Sequence, residues 1–172
     1  MVRTLSNFVF GLILIALVTA CSKEKPKEET VQAQPAAAPA STNQMPTFEI
    51  TLTDGKKKSF RNDTGKLLLV LFNPSCDHCQ RQSKMISEHT DLVKGYNVYF
   101  ISPEPLDSIA KFSYEYKLLD YNMHFGQGSG PEIIGQIGPV NEVPAFFVYN
   151  NQVLVKRKEG EMHLENLREF LK

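Results

Sequence analysis

Apolar residues recur along this chain with two periods, and each change of period marks a new element. In "TFEITLT", residues 47–53, apolar and polar positions alternate, the two-residue period of a strand with one buried face. Asp54-Gly55 follows as a hairpin turn into "KKSF". "KLLLVLF", residues 66–72, is an unbroken apolar run, the pattern of a strand buried on both faces. Beyond Cys76 the spacing becomes three and four. Cys79, Met85, Ile86, Leu92 and Val93 share one side of a predicted helix, and Lys94-Gly95 is its stop. "YNVYFIS" predicts the next strand. Residues 106–119 predict a helix with Ile109, Phe112 and Tyr116 on one side, "YNMHF" a short strand, and "PEIIGQI" a short helix opened by Pro131. "PAFFVYNNQVLVKRKEG" predicts a β-hairpin turning at Asn150-Asn151. "EMHLENLREFL" closes the chain as a helix with Leu164, Leu167 and Leu171 on its apolar face. Strands alternating with helices require a mainly parallel sheet, and the hairpins add antiparallel strands. The expectation is an α/β chain with a mixed central β-sheet flanked by helices.

Two stretches near the start follow neither period. "FVFGLILIALV", residues 8–18, is apolar throughout but shorter than the ~20 residues of a bilayer span, and Arg3 precedes it. That is the pattern of a signal segment. It ends in "LVTAC", which resembles the lipobox of bacterial lipoproteins. The resemblance implies that Cys21 becomes the first mature residue and carries a lipid. Ser22 to Met45 is charged, then rich in Ala, Pro, Gln and Ser, and buries too little apolar surface to order itself. Residues 1–20 are therefore expected to be a signal peptide, 21–45 a lipidated tether and 46–172 a single domain.

Charge narrows the partners. Nineteen basic residues balance nineteen acidic ones, and no basic stripe stands out, so there is no electrostatic case for nucleic acid. "GQGSG", residues 126–130, lacks the Lys-Ser/Thr of a phosphate-binding loop and is expected to be a flexible loop.

The chemistry concentrates in "NPSCDHCQ", residues 73–80. With Cys21 acylated, Cys76 and Cys79 are the chain's paired thiols. Several uses of such a pair compete. A structural zinc site needs four ligands, and the remaining histidines, His89, His124 and His163, offer no second pair at ligand spacing. A c-type haem needs His directly after the second cysteine, where this chain has Gln80. A simple staple would close a loop too short to constrain the unfolded chain much. Dithiol–disulfide exchange is the favoured use. Cys76 at the start of a helix meets unpaired backbone N–H groups and the positive end of the helix dipole, which favour a thiolate, and Cys79 lies one turn on.

"LLLVLFNPSCDHCQ" and, later, "NEVPAFFVYNNQVLVKRKEGEMHLENLREFL" resemble the thioredoxin fold, and specifically the exported TlpA/ResA-like thioredoxins, over nearly all of residues 46–172. The resemblance implies a thioredoxin fold with an N-terminal β-hairpin and a strand-helix insertion. It implies that Cys76 is the nucleophile and Cys79 the resolving thiol. Val143-Pro144 becomes the cis-proline loop facing them, with Pro74 and Asp77 completing a substrate groove. No cofactor or metal is implied beyond the redox-active Cys76–Cys79 disulfide. The implied partners are client proteins with thiols or disulfides, a membrane redox partner, and the membrane itself through the lipid on Cys21. The implied location is the periplasm-facing cell envelope, with Ser22 leaning to the outer membrane.

The departures from that pattern are informative. Ser75 stands where minimal thioredoxins have Trp, Val70 where they have a buried acid, and Gln82 where relatives often have Glu. Cys79 thus lacks the usual proton acceptor, and Asp77 and His78 are the nearest titratable groups. Cys-x-His-Cys resembles the more oxidising members, because an imidazole beside the thiolate stabilises it. A potential above thioredoxin's ~−270 mV is expected. Peroxidase relatives place Thr or Ser three residues before the reactive cysteine; this chain has Asn73. A different class of function, a Cu(I) carrier, would use the two cysteines and His124.

Overall fold

The structure, a computed structural model, describes residues 43–172, and the signal segment, Cys21 and most of the tether lie outside the described residues. Seven strands form one sheet in the order β2-β1-β5-β4-β3-β6-β7. The strands are β1 (Glu49–Leu52), β2 (Lys57–Ser59), β3 (Lys66–Leu71), β4 (Asn97–Ser102), β5 (Met123–Gly128), β6 (Ala145–Asn150) and β7 (Val153–Glu159). β3, β4 and β5 run parallel, and every other pairing is antiparallel. Among the described residues four helices flank the sheet: α1 (Asp77–Glu88), α2 (Leu106–Glu115), α3 (Gly130–Ile137) and α4 (Leu164–Phe170). This is a thioredoxin-like α/β fold with the expected mixed sheet.

The unbroken run in β3 is explained by two cores. Leu68, Val70 and Phe72 point into one, shared with Cys79 and Ile86 of α1, Phe112 of α2 and Leu167 of α4. Leu67, Leu69 and Leu71 point into the other, with Phe48, Phe60, Tyr99 and Ile133 of α3. Packing begins just ahead of Pro46: Gln44 bridges to Val153, and Met45 is buried.

Four local expectations are corrected. Helix α1 stops at Glu88, because His89 leaves the helical region (φ −135°), and Leu92 and Val93 reach inward from a separate 3-10 turn, Thr90–Val93. Helix α2 stops at Glu115, with Lys117 at a left-handed φ of 54°. The tip of the second hairpin is Asn151-Gln152, both at positive φ, one residue later than the sequence pattern places it. "GQGSG" is not a loop. Gly126 to Gly128 complete β5 and pair with β1, and Gly130 opens α3. These glycines serve close approach: a Cβ on Gly126 would lie 2.8 Å from Ile50 Cδ1 and 3.1 Å from the Thr51 carbonyl oxygen.

Candidate active site

Sheet register brings the two motifs together. Leu71, the last residue of β3, pairs with Ala145, the first of β6. The chain beyond β3 therefore starts beside the chain preceding β6, and Cys76 meets Val143-Pro144. Asn73 shapes the connection: its side-chain oxygen accepts from the Ser75 amide at 2.8 Å and the Ser75 hydroxyl at 2.7 Å, and its backbone oxygen accepts from the Cys76 amide at 3.1 Å. This turn leaves Cys76 as the N-cap of α1 in extended conformation, with Asp77 in the first turn where the helix dipole favours an acid.

Both Cys76 and Cys79 are free thiols. Cys76 is half-buried, and its Sγ lies 3.9 Å from the Val143 carbonyl oxygen, to which the thiol can donate. The Val143–Pro144 peptide is cis, with Pro144 buried and Val143 half-exposed. Cys79 is only 1% exposed. Burial first of all pushes its thiol up to about 12; hydrogen bonding from the Asn73 backbone opposes this, and Cys76 and, least, the charge of Glu161 add to the rise. One thiol is thus presented and its neighbour kept protonated inside the core.

Two hollows border residues next to Cys76, one at Ser75 and one at Val143. One of about 290 Å³ lies between the Pro74–Ser75 loop and α2, bordered by Gln80, Glu104 and Lys111. Pro74 is half-buried there, and its carbonyl accepts from the Gln80 side chain at 3.0 Å. The other, about 180 Å³, is apolar and is lined by Leu71, Pro103, Ile134, Val140 and Val143.

His78 is exposed, and its recorded partners are not the thiols. Its Nδ1 lies 2.8 Å from a Glu161 carboxylate oxygen and 2.8 Å from Arg81 Nη2. Glu161 was not foreseen from the sequence. Its carboxylate is held below the usual range by Arg81 first and by His78 after it. The acid stands just after β7, so the only sequence signal is "GE" closing a strand, which is too common to single out. Gln82 is buried, and its side-chain oxygen accepts the Met162 amide at 2.7 Å.

His124 is not gathered with the cysteines. It pairs in register with Tyr99 and stacks on that ring at 4.8 Å, on the face of the sheet opposite α1. Burial and the charge of Lys58 hold its imidazole below the ordinary value. Among the described residues, no three His, Cys, Asp or Glu side chains are grouped to hold a metal.

A family model described as the AhpC/TSA family matches residues 42–158. The chain belongs to the AhpC/TSA family. That membership, with a free dithiol at the start of α1, makes it a thiol–disulfide oxidoreductase. No curated protein matches the chain. Solved structures of the same fold are similar at low identity. A secreted disulfide oxidoreductase of Mycobacterium tuberculosis homologous to E. coli DsbE is 16% identical, with a TM-score of 0.59 over 73% of this chain and 94% of that one. StoA from Bacillus subtilis is 17% identical, with a TM-score of 0.55 over 73% and 96%. Arabidopsis thaliana ScoI with copper bound is 17% identical, with a TM-score of 0.57 over 71% and 91%.

Proposed function

We propose that the chain is a TlpA/ResA-like, membrane-tethered enzyme of the cell envelope that exchanges disulfides with client proteins through Cys76 and Cys79. The observation that carries this is the half-buried Cys76 thiol under the Val143 carbonyl, with Cys79 buried one turn behind it. In the reducing direction, the Cys76 thiolate attacks one sulfur of a client disulfide, and the other sulfur leaves as a thiolate. Cys79 then gives up its proton and attacks Cys76 Sγ. The bond to the client breaks, leaving the Cys76–Cys79 disulfide and a client with two thiols. The reverse sequence oxidises a client, and a membrane redox partner resets the pair. Val143, Pro144, Pro74 and Asp77 form the groove for the client backbone. The apolar hollow beside Val143 fits a bulky apolar side chain next to the client cysteine. Localisation outside the cytoplasm is supported by "LVTAC" and by similarity to a secreted oxidoreductase, with the lipid on Cys21 and Ser22 favouring the outer membrane.

Mixed-disulfide trapping tests the reading. Cys79→Ser in the full chain, expressed in its host, should accumulate covalent adducts through Cys76 that dissolve on adding a thiol reductant. Absence of adducts with Cys79→Ser, or adducts equally abundant with Cys76→Ser, would refute it. A Cu(I) carrier would have to rest on the two thiols alone, since His124 faces the other side of the sheet.

A further inference from the structure

One charged group beside the dithiol comes from the far end of the chain. Glu161 stands between β7 and α4, 83 positions from His78, yet it is fixed over the first turns of α1. Three contacts hold it. The backbone is pinned next door, where the Met162 amide donates to buried Gln82. The carboxylate takes a two-pronged grip from Arg81, with Nε 3.0 Å from Oε1 and Nη2 2.7 Å from Oε2. His78 Nδ1 is 2.8 Å from both Glu161 Oε2 and Arg81 Nη2. One ring nitrogen cannot donate and accept at once. The neutral ring accepts from Arg81 when Nδ1 is bare and donates to Glu161 when Nδ1 carries the proton, so the cluster is braced in either tautomer.

His78, Arg81 and Gln82 flank Cys79 on the same stretch of helix, so this ion pair is carried by the helix that carries both thiols. We propose that the Glu161–Arg81 pair, braced by His78 and Gln82, sets the reduction potential of the Cys76–Cys79 couple, Glu161 making it more reducing and Arg81 more oxidising. Glu161 is a positioning residue here, acting through its charge and through the place it gives Arg81. The inference rests on the reading of Cys76 and Cys79 as an exchanging pair.

The sign follows from charge. The disulfide is neutral, while the reduced form gains from whatever stabilises a thiolate, and a stabilised reduced form is a better oxidant. A carboxylate near the thiols penalises the thiolate, and a guanidinium favours it. Cys79 stays protonated, so the charges act through the Cys76 thiolate: Arg81, two turns or less along the same helix, favours it, and Glu161, bound to Arg81 at 2.7 and 3.0 Å, offsets that cation. Asp77, the remaining charge on that turn, is common to every variant below. The Arg81 side chain is 54% exposed, so water screens the effect and keeps it moderate.

The test equilibrates the full-length chain and its variants with glutathione or dithiothreitol buffers at about pH 9.5, above the ordinary thiol value of ~8.5 so that thiolate is populated, and reads the oxidised fraction by alkylation mass shift. Glu161→Gln should raise the equilibrium constant for reducing the disulfide by about three- to tenfold, ~15–30 mV at 29.6 mV per decade. Arg81→Gln should lower it by a similar factor. Glu161→Asp and Arg81→Lys keep the charge and should stay within about twofold of the parent. Should Glu161→Gln not fold, the contrast between Arg81→Gln and Arg81→Lys decides alone. Neutral variants that stay within twofold, or that move in the same direction, overturn the proposal and leave the exchange reading standing. A parent chain that forms no Cys76–Cys79 disulfide in any buffer overturns both.

Discussion

Replacing Gln82 with Leu isolates the structural role of the buried amide one turn beyond Cys79. Gln82 is 1% exposed, and its side-chain oxygen is the partner of the Met162 amide at 2.7 Å. Its side-chain nitrogen is poorly used, with only the Met85 sulfur at 3.6 Å. Leucine has similar bulk, so the site does not open to water, and the Met162 N–H is left buried without an acceptor. Leaving one buried donor unpaired costs about 1–3 kcal/mol, whereas removing the underused amide nitrogen returns only part of that. The net expectation is a loss of about 1–2 kcal/mol. Denaturant unfolding of the reduced protein gives the loss as a lower midpoint with unchanged slope. Hydrogen exchange supplies the local signature: the Met162 amide, protected in the parent, should become one of the fastest-exchanging amides near α1. A loss under about 0.5 kcal/mol with Met162 still protected would refute the reasoning, because the bond would then carry none of the stability assigned to it.

Cys79 should resist alkylation at pH 7 while Cys76 reacts, and comparable labelling rates by peptide mass mapping would contradict its burial. The Cys79 thiol sits at about 12 in the folded chain against ~8.5 when unfolded. Its contribution is therefore intact below ~8.5 and falls as pH rises toward 12, by at most ~1.4 kcal/mol per pH unit. Between about pH 8.5 and 10, below the range in which the buried tyrosines begin to contribute, the reduced parent should show this decline and Cys79→Ala should not. Glu161 has the opposite sign: its depressed carboxylate adds stability above the unfolded value near ~4.3, lost as pH falls through the lower folded value. Melting curves from pH 3 to 6 should accordingly be flatter for Glu161→Gln than for the parent. Gly126→Ala should lose about 1–3 kcal/mol in denaturant, since the new methyl meets Ile50 and the Thr51 carbonyl, and an unchanged midpoint would show that β1 yields freely.

Much of this was legible because it is local. The run in β3, the alternation in β1 and the cysteines at the start of α1 are written in neighbouring residues, and the structure places each as the pattern implied. The misread segments are those where a distant contact decides. Gly126 and Gly128 have low strand propensity and suggest a loop, but the side chain of Ile50 needs the room their missing Cβ atoms leave. The apolar periodicity continues past Glu88 and Glu115, and says nothing of the backbone breaks at His89 and Lys117. Glu161 and the acceptor role of Gln82 depend on α1 meeting the β7–α4 connection some 80 positions away. No spacing rule spans that distance.

The ends of the sheet carry a consequence of their own. β2, at one edge, is the three residues Lys57, Lys58 and Ser59, and β7, at the other, bears Lys156, Arg157 and Lys158 in succession. An incoming strand would have to stack its side chains against fixed cations at either border, and at β2 it would find only three residues to pair with. Edges that resist strand addition leave a chain that docks here only the groove at Val143-Pro144 and a sulfur bond to hold it.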